Sequence, residues 1–296
     1  MKANKAVIRA KECWQWGRRQ VRIQRMQVRR LVRPGGALPN FLIIGAMKSG
    51  TTTLFQMLTQ HPGCWSPVAK ELQFFEQPHK YSRGEVWYRA HFPTRRSLTA
   101  GRRTLGYSPV TGEATPGMSF FPYASRAAEL VPQAKLIVSL RDPVERAWSH
   151  YKHMRRLPAP ERATFSEAID RELALLEQGA SLTEENFRQM APLLHKFGYV
   201  NRGHYADQLK HWFSFFPREQ FLILNFEDWK KNPIQAADRI TQHLGLPKHA
   251  YEARKANQGG HKSSMPIDCR ERLETYFRPR NRELFKLLGE DWGWPY

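Results

Sequence analysis

Apolar residues in this chain gather in short runs, and each run is followed by a stretch in which they recur every three or four positions. Phe41–Ile44 is the first run, bounded by Asn40 and Gly45, and its length suits a strand buried on both faces. Residues 51–60 then show helical spacing and are closed by His61-Pro62-Gly63. Lys135–Leu140 (KLIVSL) repeats the pattern, with Asp142 as N-cap and Pro143 in the first turn of the next helix. Phe221–Leu224 is the third run; Asn232-Pro233 and Gly245 bracket the helix after it. Further helices are expected at Tyr123–Leu130, from a capping box at Thr164–Glu167 to Gly179, at His204–Phe215, and as a pair across Ile267–Leu288. A short helix is expected at Val86–Ala90 inside an otherwise irregular, basic and aromatic stretch, 78–103. Residues 180–203 fit neither period, and 258–264 read as a flexible loop. Alternating strand and helix predict an α/β fold with a parallel sheet and helices on both faces. Ligands of such sheets bind outside the carboxyl ends of the strands, so the loops after Ile44, Leu140 and Leu224 are where chemistry is expected.

Charge adds a second theme. The 296 residues carry a net charge of +20, and residues 1–33 hold eleven Lys/Arg against one acid, Glu12, so half of the excess sits in that segment. Pro34-Gly35-Gly36 separates it from the body, which gives a basic segment over 1–36 and a single domain over 37–296. Val7, Trp14, Val21, Val28 and Leu31 recur among the arginines. The segment therefore reads either as a solvated tail or as an amphipathic helix lying on anionic lipid. Such a balance implies anionic partners: nucleotide, nucleic acid, lipid headgroup or acidic glycan. The three cysteines, Cys13, Cys64 and Cys269, are widely spaced, with no CxxC, HExxH or Cys/His cluster, so neither a disulfide framework nor a metal is expected. Reduced thiols and the absence of an apolar leader predict a cytoplasmic protein, with peripheral membrane contact through 1–33.

The loop after the first strand is FLIIGAMKSGTTTLFQML, Phe41 to Leu58. Gly45 and Gly50 have the spacing of an ATPase phosphate loop, but Lys48 precedes the second glycine instead of following it. A glycine loop between strand and helix aims backbone N–H groups at an anion, and Thr51, Thr52 and Thr53 add hydroxyls. The loop after the second strand is LRDPVERAWSHY, Leu140–Tyr151. Arg141 ends the strand and Ser149 lies about two turns into the helix. Arg141 suits bidentate phosphate binding, with an ion pair to Asp142 or Glu145 as its alternative use. Two phosphate sites imply a nucleotide phosphorylated at two positions.

Together these segments resemble the sulfotransferases that use 3′-phosphoadenosine 5′-phosphosulfate (PAPS), and KELQFFE, Lys70–Glu76, is similar to a stretch of their heparan sulfate branch. GEATP at 112–116, RGHYADQL at 202–209 and YFRPRNREL at 276–284 look like the same branch, so the resemblance runs from about residue 40 to the C-terminus. It implies a three-layer fold like that of the P-loop NTPases. It implies that Lys48, Ser49, Gly50, Thr51, Thr52 and Thr53 hold the 5′-phosphosulfate, that Arg141 and Ser149 hold the 3′-phosphate, and that Lys262 closes on the donor. Glu71 takes the place of the catalytic base, with Glu113 as rival base or orienter, and Lys48 faces the bond that breaks. Two departures, Ala114 where the branch carries lysine and a loose match at 259–262, leave the acceptor open.

The reaction this implies is in-line transfer of a sulfuryl group to a hydroxyl or amine, where positioning and charge supply most of the rate. Burial of Glu71 against Phe74 and Phe75 is expected to raise its pKa toward the working pH. A carbohydrate or glycolipid acceptor is expected, with residues 78–103 in its cleft. Trp65, Trp87 and Tyr88 are candidates to stack on sugar or adenine, and His91 and His204 to touch the acceptor. A kinase or NTPase is the alternative that Lys48's position and the absence of an acid after Phe221–Leu224 argue against. A nucleic-acid-binding protein is the alternative that charge alone would allow, but no motif supports it, and nucleic acid is not expected as a partner.

Overall fold

A computed structural model describes residues 35–180, 182–183, 185–252 and 263–294. The 1–33 segment and Lys262, with most of the 258–264 loop, lie outside the described residues. In chain order the elements are β1 (Phe41–Gly45), α1 (Thr51–Leu58), β2 (Cys64–Trp65), α2 (Pro78–Tyr81), α3 (Gly84–Arg89), α4 (Arg95–Leu105), β3 (Val110–Ala114) and α5 (Pro122–Leu130). There follow β4 (Lys135–Leu140), α6 (Pro143–Met154), α7 (Phe165–Glu177), α8 (Phe187–Met190) running into a π-helix (Ala191–Lys196), and α9 (Tyr205–Phe213). The chain ends with β5 (Phe221–Asn225), α10 (Phe226–Lys231), α11 (Pro233–His243) and α12 (Ile267–Leu288).

The sheet has the order β2-β3-β1-β4-β5, and every pairing is parallel. Side chains alternate across a strand, so β1 feeds two cores. Leu42 and Ile44 join Leu136, Val138, Phe74, Phe75, Tyr123 and Trp212 on one face. Phe41 and Ile43 join Ile137, Leu224, Leu54, Leu58 and Ile240 on the other. All four β1 side chains are fully buried, and truncating one such as Ile43 to Ala would cost about 2–5 kcal/mol. Helices α1 and α11 cover one face and α5, α9 and α12 the other, which makes the three layers. The loops after β1 and β4 emerge side by side at the sheet's centre because those strands are neighbours.

Several elements differ from the sequence reading. β2 and β3 escaped it: two residues are too few for a periodic signal, and VTGEA carries a buried glutamate where a core strand should be apolar. The pair expected over Ile267–Leu288 is one helix, with Pro279 inside it. Asn232 makes no side-chain cap. By contrast Asp142 accepts from Val144 N–H at 2.8 Å, and the Thr164–Glu167 capping box forms in both directions. The stretch 78–103 is largely helical, and only its start reaches the cleft described next.

Candidate active site

A cleft of about 1240 Å³ opens at the carboxyl end of the sheet, lined by the β1 and β4 loops, the 71–79 segment and the π-helical turn. That volume exceeds an ordinary ligand pocket and leaves room for a nucleotide and part of a second substrate.

The β1 loop is pinned from below. Ala46 N–H donates to Ser139 O at 2.6 Å, Ser139 Oγ donates to Ser49 O at 2.7 Å, and Trp229 Nε1 donates to Ser139 Oγ at 2.7 Å. Gly50 has φ +75°, and a Cβ there would sit 2.3 Å from the Trp229 ring. Only glycine permits both that conformation and that approach. Gly50 brings no side-chain cap to α1, so the first-turn N–H groups of Thr51, Thr52 and Thr53 face the cleft as an anion cradle. Ser49 Oγ is buried and has no hydrogen-bond partner among the described residues.

Lys48 has φ +71°, a left-handed conformation that costs about 1–2 kcal/mol outside glycine. Burial, and then the cations Arg156 and Arg141, lower its ammonium to about 8. Glu71 works the other way on it, so the two groups sense each other across the cleft. Arg141 stacks over Phe226, its guanidinium 5.0 Å from the ring centroid. Its nearest carboxylates are distant, Glu145 at 3.6 Å and Glu227 at 3.9 Å, and its buried Nε has no hydrogen-bond partner among the described residues. The ion pair that was its alternative use is therefore loose. Ser149 lines the cleft on α6 beside it.

The 70–76 segment carries both surprises and corrections. Glu71 and Gln73 are left-handed (φ +59° and +56°); with Lys48 they put three strained residues on one cleft, as functional sites often do. Glu71 is not buried against Phe74 and Phe75: its side chain is 46% exposed and ion-paired to Lys70, while both phenylalanines point into the core. Of the two rival bases, the buried one is Glu113. It accepts from Tyr88 OH at 2.6 Å, Thr115 Oγ1 at 3.0 Å and Leu72 N–H at 3.3 Å. Burial pushes it up to about 7, against those hydrogen bonds. It does not line the cleft; it holds the backbone next to Glu71.

Glu76, His195 and Arg202 form a network that sequence reasoning missed. Glu76 Oε1 lies 2.8 Å from His195 Nε2, and Arg202 donates to His195 Nδ1 at 2.9 Å. Arginine can only donate, so Nδ1 is the bare nitrogen and Nε2–H donates to Glu76. Burial works against the charge on Glu76, but His195, Arg202 and Lys80 together outweigh it and hold the carboxyl below its usual range. Arg202 is itself placed by Glu172, which accepts from the N–H groups of Tyr199, Val200 and Asn201 at 2.6–2.8 Å. The signal was faint, because 180–203 showed no period.

Other expectations are corrected by packing. Trp87 and Tyr88 are buried against Phe74, Trp65 packs on Gly101, and the Phe and Trp rings at the cleft are Phe187, Phe226 and Trp229. His91 bonds to Trp87 O and His204 to Tyr276, away from the cleft, whereas His153 lines it. Among the described residues no group of three or more His, Cys, Asp or Glu is placed to hold a metal ion.

A parallel sheet with an uncapped helix start at its central loop and a second cation at the end of the neighbouring strand suits an anionic ligand. A family model described as the sulfotransferase domain matches residues 38–258, and the chain belongs to that family of transferases. It is 31% identical over 284 residues to human bifunctional heparan sulfate N-deacetylase/N-sulfotransferase 3, which covers 85% of this chain and 30% of that protein. It is 30% identical over 282 residues to human heparan sulfate glucosamine 3-O-sulfotransferase 6, covering 86% and 73%. With the membrane-associated sulfotransferase kil1 of Dictyostelium discoideum it shares 27% over 322 residues, covering 87% and 66%. The chain thus spans less than a third of the first of these relatives. The crystal structure of a sulfotransferase from Alicyclobacillus acidocaldarius has a TM-score of 0.63 at 27% identity, covering 86% of this chain and 97% of that one.

The expected cytoplasmic placement is corrected here, since a relative that covers most of the chain is membrane-associated by name. The thiols that prompted the expectation report no compartment. Cys64 and Cys269 are both buried, and burial pushes Cys64 up to about 12, where it is inert. Among the described residues no helix is long and apolar enough to cross a membrane.

Proposed function

We propose that this sulfotransferase moves a sulfuryl group from PAPS to a hydroxyl or amine of a carbohydrate or glycolipid acceptor. The observation that carries this reading is that Lys48 and Glu71 line one cleft, close enough for Glu71 to act on the Lys48 ammonium, beside an uncapped helix start. PAPS supplies the activated sulfur and leaves as adenosine 3′,5′-bisphosphate. The α1 N–H groups with Thr51, Thr52 and Thr53 hold its 5′ end. Arg141, whose Nε has no hydrogen-bond partner among the described residues, and Ser149 hold its 3′-phosphate. Lys48 opposes the charge that develops on the departing 5′-phosphate. Glu71, exposed to the cleft and steadied by Lys70, takes the proton from the attacking group. Ser49 Oγ, buried and without a hydrogen-bond partner among the described residues, is one further donor toward the 5′ end. Lys262 closes over the donor from the loop outside the described residues. The heparan sulfate relatives support an acidic sugar chain as acceptor.

Calorimetric titration with adenosine 3′,5′-bisphosphate, and with ATP plus Mg²⁺ as control, tests the donor site. Metal-independent binding that weakens in Arg141→Ala is expected; preference for ATP and Mg²⁺ would overturn the reading. The 1–33 segment is proposed to touch anionic lipid, in keeping with the Dictyostelium relative's name. A chain without those residues that bound anionic vesicles as well as the whole chain would remove that part.

A further inference from the structure

The basic stretch expected to line the acceptor cleft leaves most of its arginines elsewhere. Between Glu85 and Glu113 the chain has no acid at all. Helix α4 carries Arg95, Arg96, Arg102 and Arg103, and none of them borders the cleft. All four are exposed, and among the described residues none has a carboxylate partner.

Their spacing is what makes them a surface. Residues seven apart return to nearly the same side of a helix, about 10 Å along its axis. Arg95 and Arg102 therefore form one row and Arg96 and Arg103 a second, with Thr99 between them, across an arc of about 120°. Gly101 sits on the other side, where it packs against Trp65 and is buried. Leu98 and Leu105 share that side and are only partly exposed. The helix is thus clamped to the body by one stripe and presents a stripe of guanidinium groups outward. At its start, Arg95 N–H donates to Gly35 O at 3.1 Å, and Ala37 N–H donates to Pro93 O at 2.9 Å. The segment that carries net +10 therefore joins the body at the first turn of this helix.

We infer that the outer face of α4 is a docking surface for an anionic lipid bilayer, and that it sets the folded domain against the membrane beside the 1–33 segment. The face is a convex helix without a groove, and its exposed stripe holds arginine and threonine with no aromatic ring on which a base or sugar could stack. A plane of headgroup charge matches such a stripe; a single phosphate would not engage arginines about 10 Å apart along each row. This surface does not depend on the donor reading.

The test is co-sedimentation of the full chain with phosphatidylcholine vesicles, with or without 30% phosphatidylserine, at about 0.1 M salt. Binding to the anionic vesicles alone is expected, falling steeply at 0.5 M salt. Each arginine at the surface contributes about fivefold. The variant with Arg95→Gln, Arg96→Gln, Arg102→Gln and Arg103→Gln should therefore lose at least about 25-fold, if only two of the four reach the plane, with an unchanged melting temperature. Four Arg→Lys changes should keep the binding, because a surface potential reads charge and not fork geometry. If the fourfold variant does not fold, Arg102→Gln with Arg103→Gln serves the same reading. The inference is overturned if the Gln variant binds within twofold of the natural chain, an outcome that leaves the 1–33 segment as the sole contact. It is also overturned if neutral vesicles bind equally, or if duplex DNA loses affinity for the Gln variant while vesicles do not.

Discussion

Raising the pH above 8 should strip the donor site of its affinity for adenosine 3′,5′-bisphosphate, and the cause is Lys48. Burial, with Arg156 and Arg141 nearby, lowers that ammonium to about 8 from 10.5. The bisphosphate brings negative charge that favours the protonated lysine, so the bound pKa moves back toward 10.5. Below pH 8 the lysine is charged before and after binding, and Kd is flat. Between pH 8 and the bound pKa, binding takes up a proton, and Kd rises about tenfold per pH unit. Recovery of the whole shift bounds the loss at about 300-fold, or ~3.4 kcal/mol. The ligand's own phosphates are ionised above about pH 7 and do not add to it. Calorimetry from pH 6.5 to 9.5, in two buffers of different ionisation enthalpy, would count the proton. None is expected at pH 7 and close to one at pH 9, and Lys48→Arg should hold Kd flat throughout. A natural chain with Kd flat to pH 9.5, or an equal rise in Lys48→Arg, would refute the reasoning. Stability has the same root. The unfolded lysine keeps its proton up to 10.5 and the folded one only to about 8. The unligated protein therefore gains stability as pH rises between those values, and at pH 7 it carries the full cost. Lys48→Met should abolish donor binding at pH 7 and raise the melting temperature.

Gly50→Ala combines a left-handed backbone with a 2.3 Å clash on Trp229; urea melts should show about 2–4 kcal/mol of lost stability. Arg141→Ala should weaken bisphosphate binding by about 1.5–3 kcal/mol in calorimetry, with little change in melting temperature, because its own ion pairs are 3.6 and 3.9 Å long. Glu71→Gln should lower kcat at least 10²-fold with little loss of stability. Glu113→Gln should do the reverse, costing about 1–3 kcal/mol and sparing kcat to within tenfold. With Glu113 raised to about 7, the folded state binds the extra proton. The natural chain should therefore lose stability relative to Glu113→Gln as pH rises from 4.5 through 7, and denaturant melts across that range would check the sign.

The two carboxylates show how far the sequence could be read. KELQFFE identified the segment, and Glu71 does border the cleft. The expected burial of Glu71 against Phe74 and Phe75 fails because the segment turns through left-handed Glu71 and Gln73 and does not run as a regular element that would put them on one face. Phe74 and Phe75 enter the core beneath the segment while Glu71 points away from it. Glu113 received the burial instead, since it sits on a strand that the reading did not find.

What the linear pattern determined was local. Short apolar runs, ended by Gly45, by Arg141-Asp142-Pro143 and by Asn225, specified β1, β4 and β5. Asp142-Pro143 and Thr164–Glu167 specified helix starts, because caps are satisfied within four residues. The glycine spacing at 45–50 specified the tight loop between β1 and α1 that the proposed function assigns to an anion. Tertiary structure decided what depends on contacts between distant segments. The order of the strands brings Lys48 and Arg141 to one cleft. The Glu76–His195–Arg202 network spans 126 positions of the chain and leaves no periodic trace. The basic helix α4 was turned away from the cleft because its opposite stripe, Leu98, Gly101 and Leu105, had a flank to cover. Charge along a sequence says that an anion will be met; which anion each arginine meets is decided by the face on which packing leaves it.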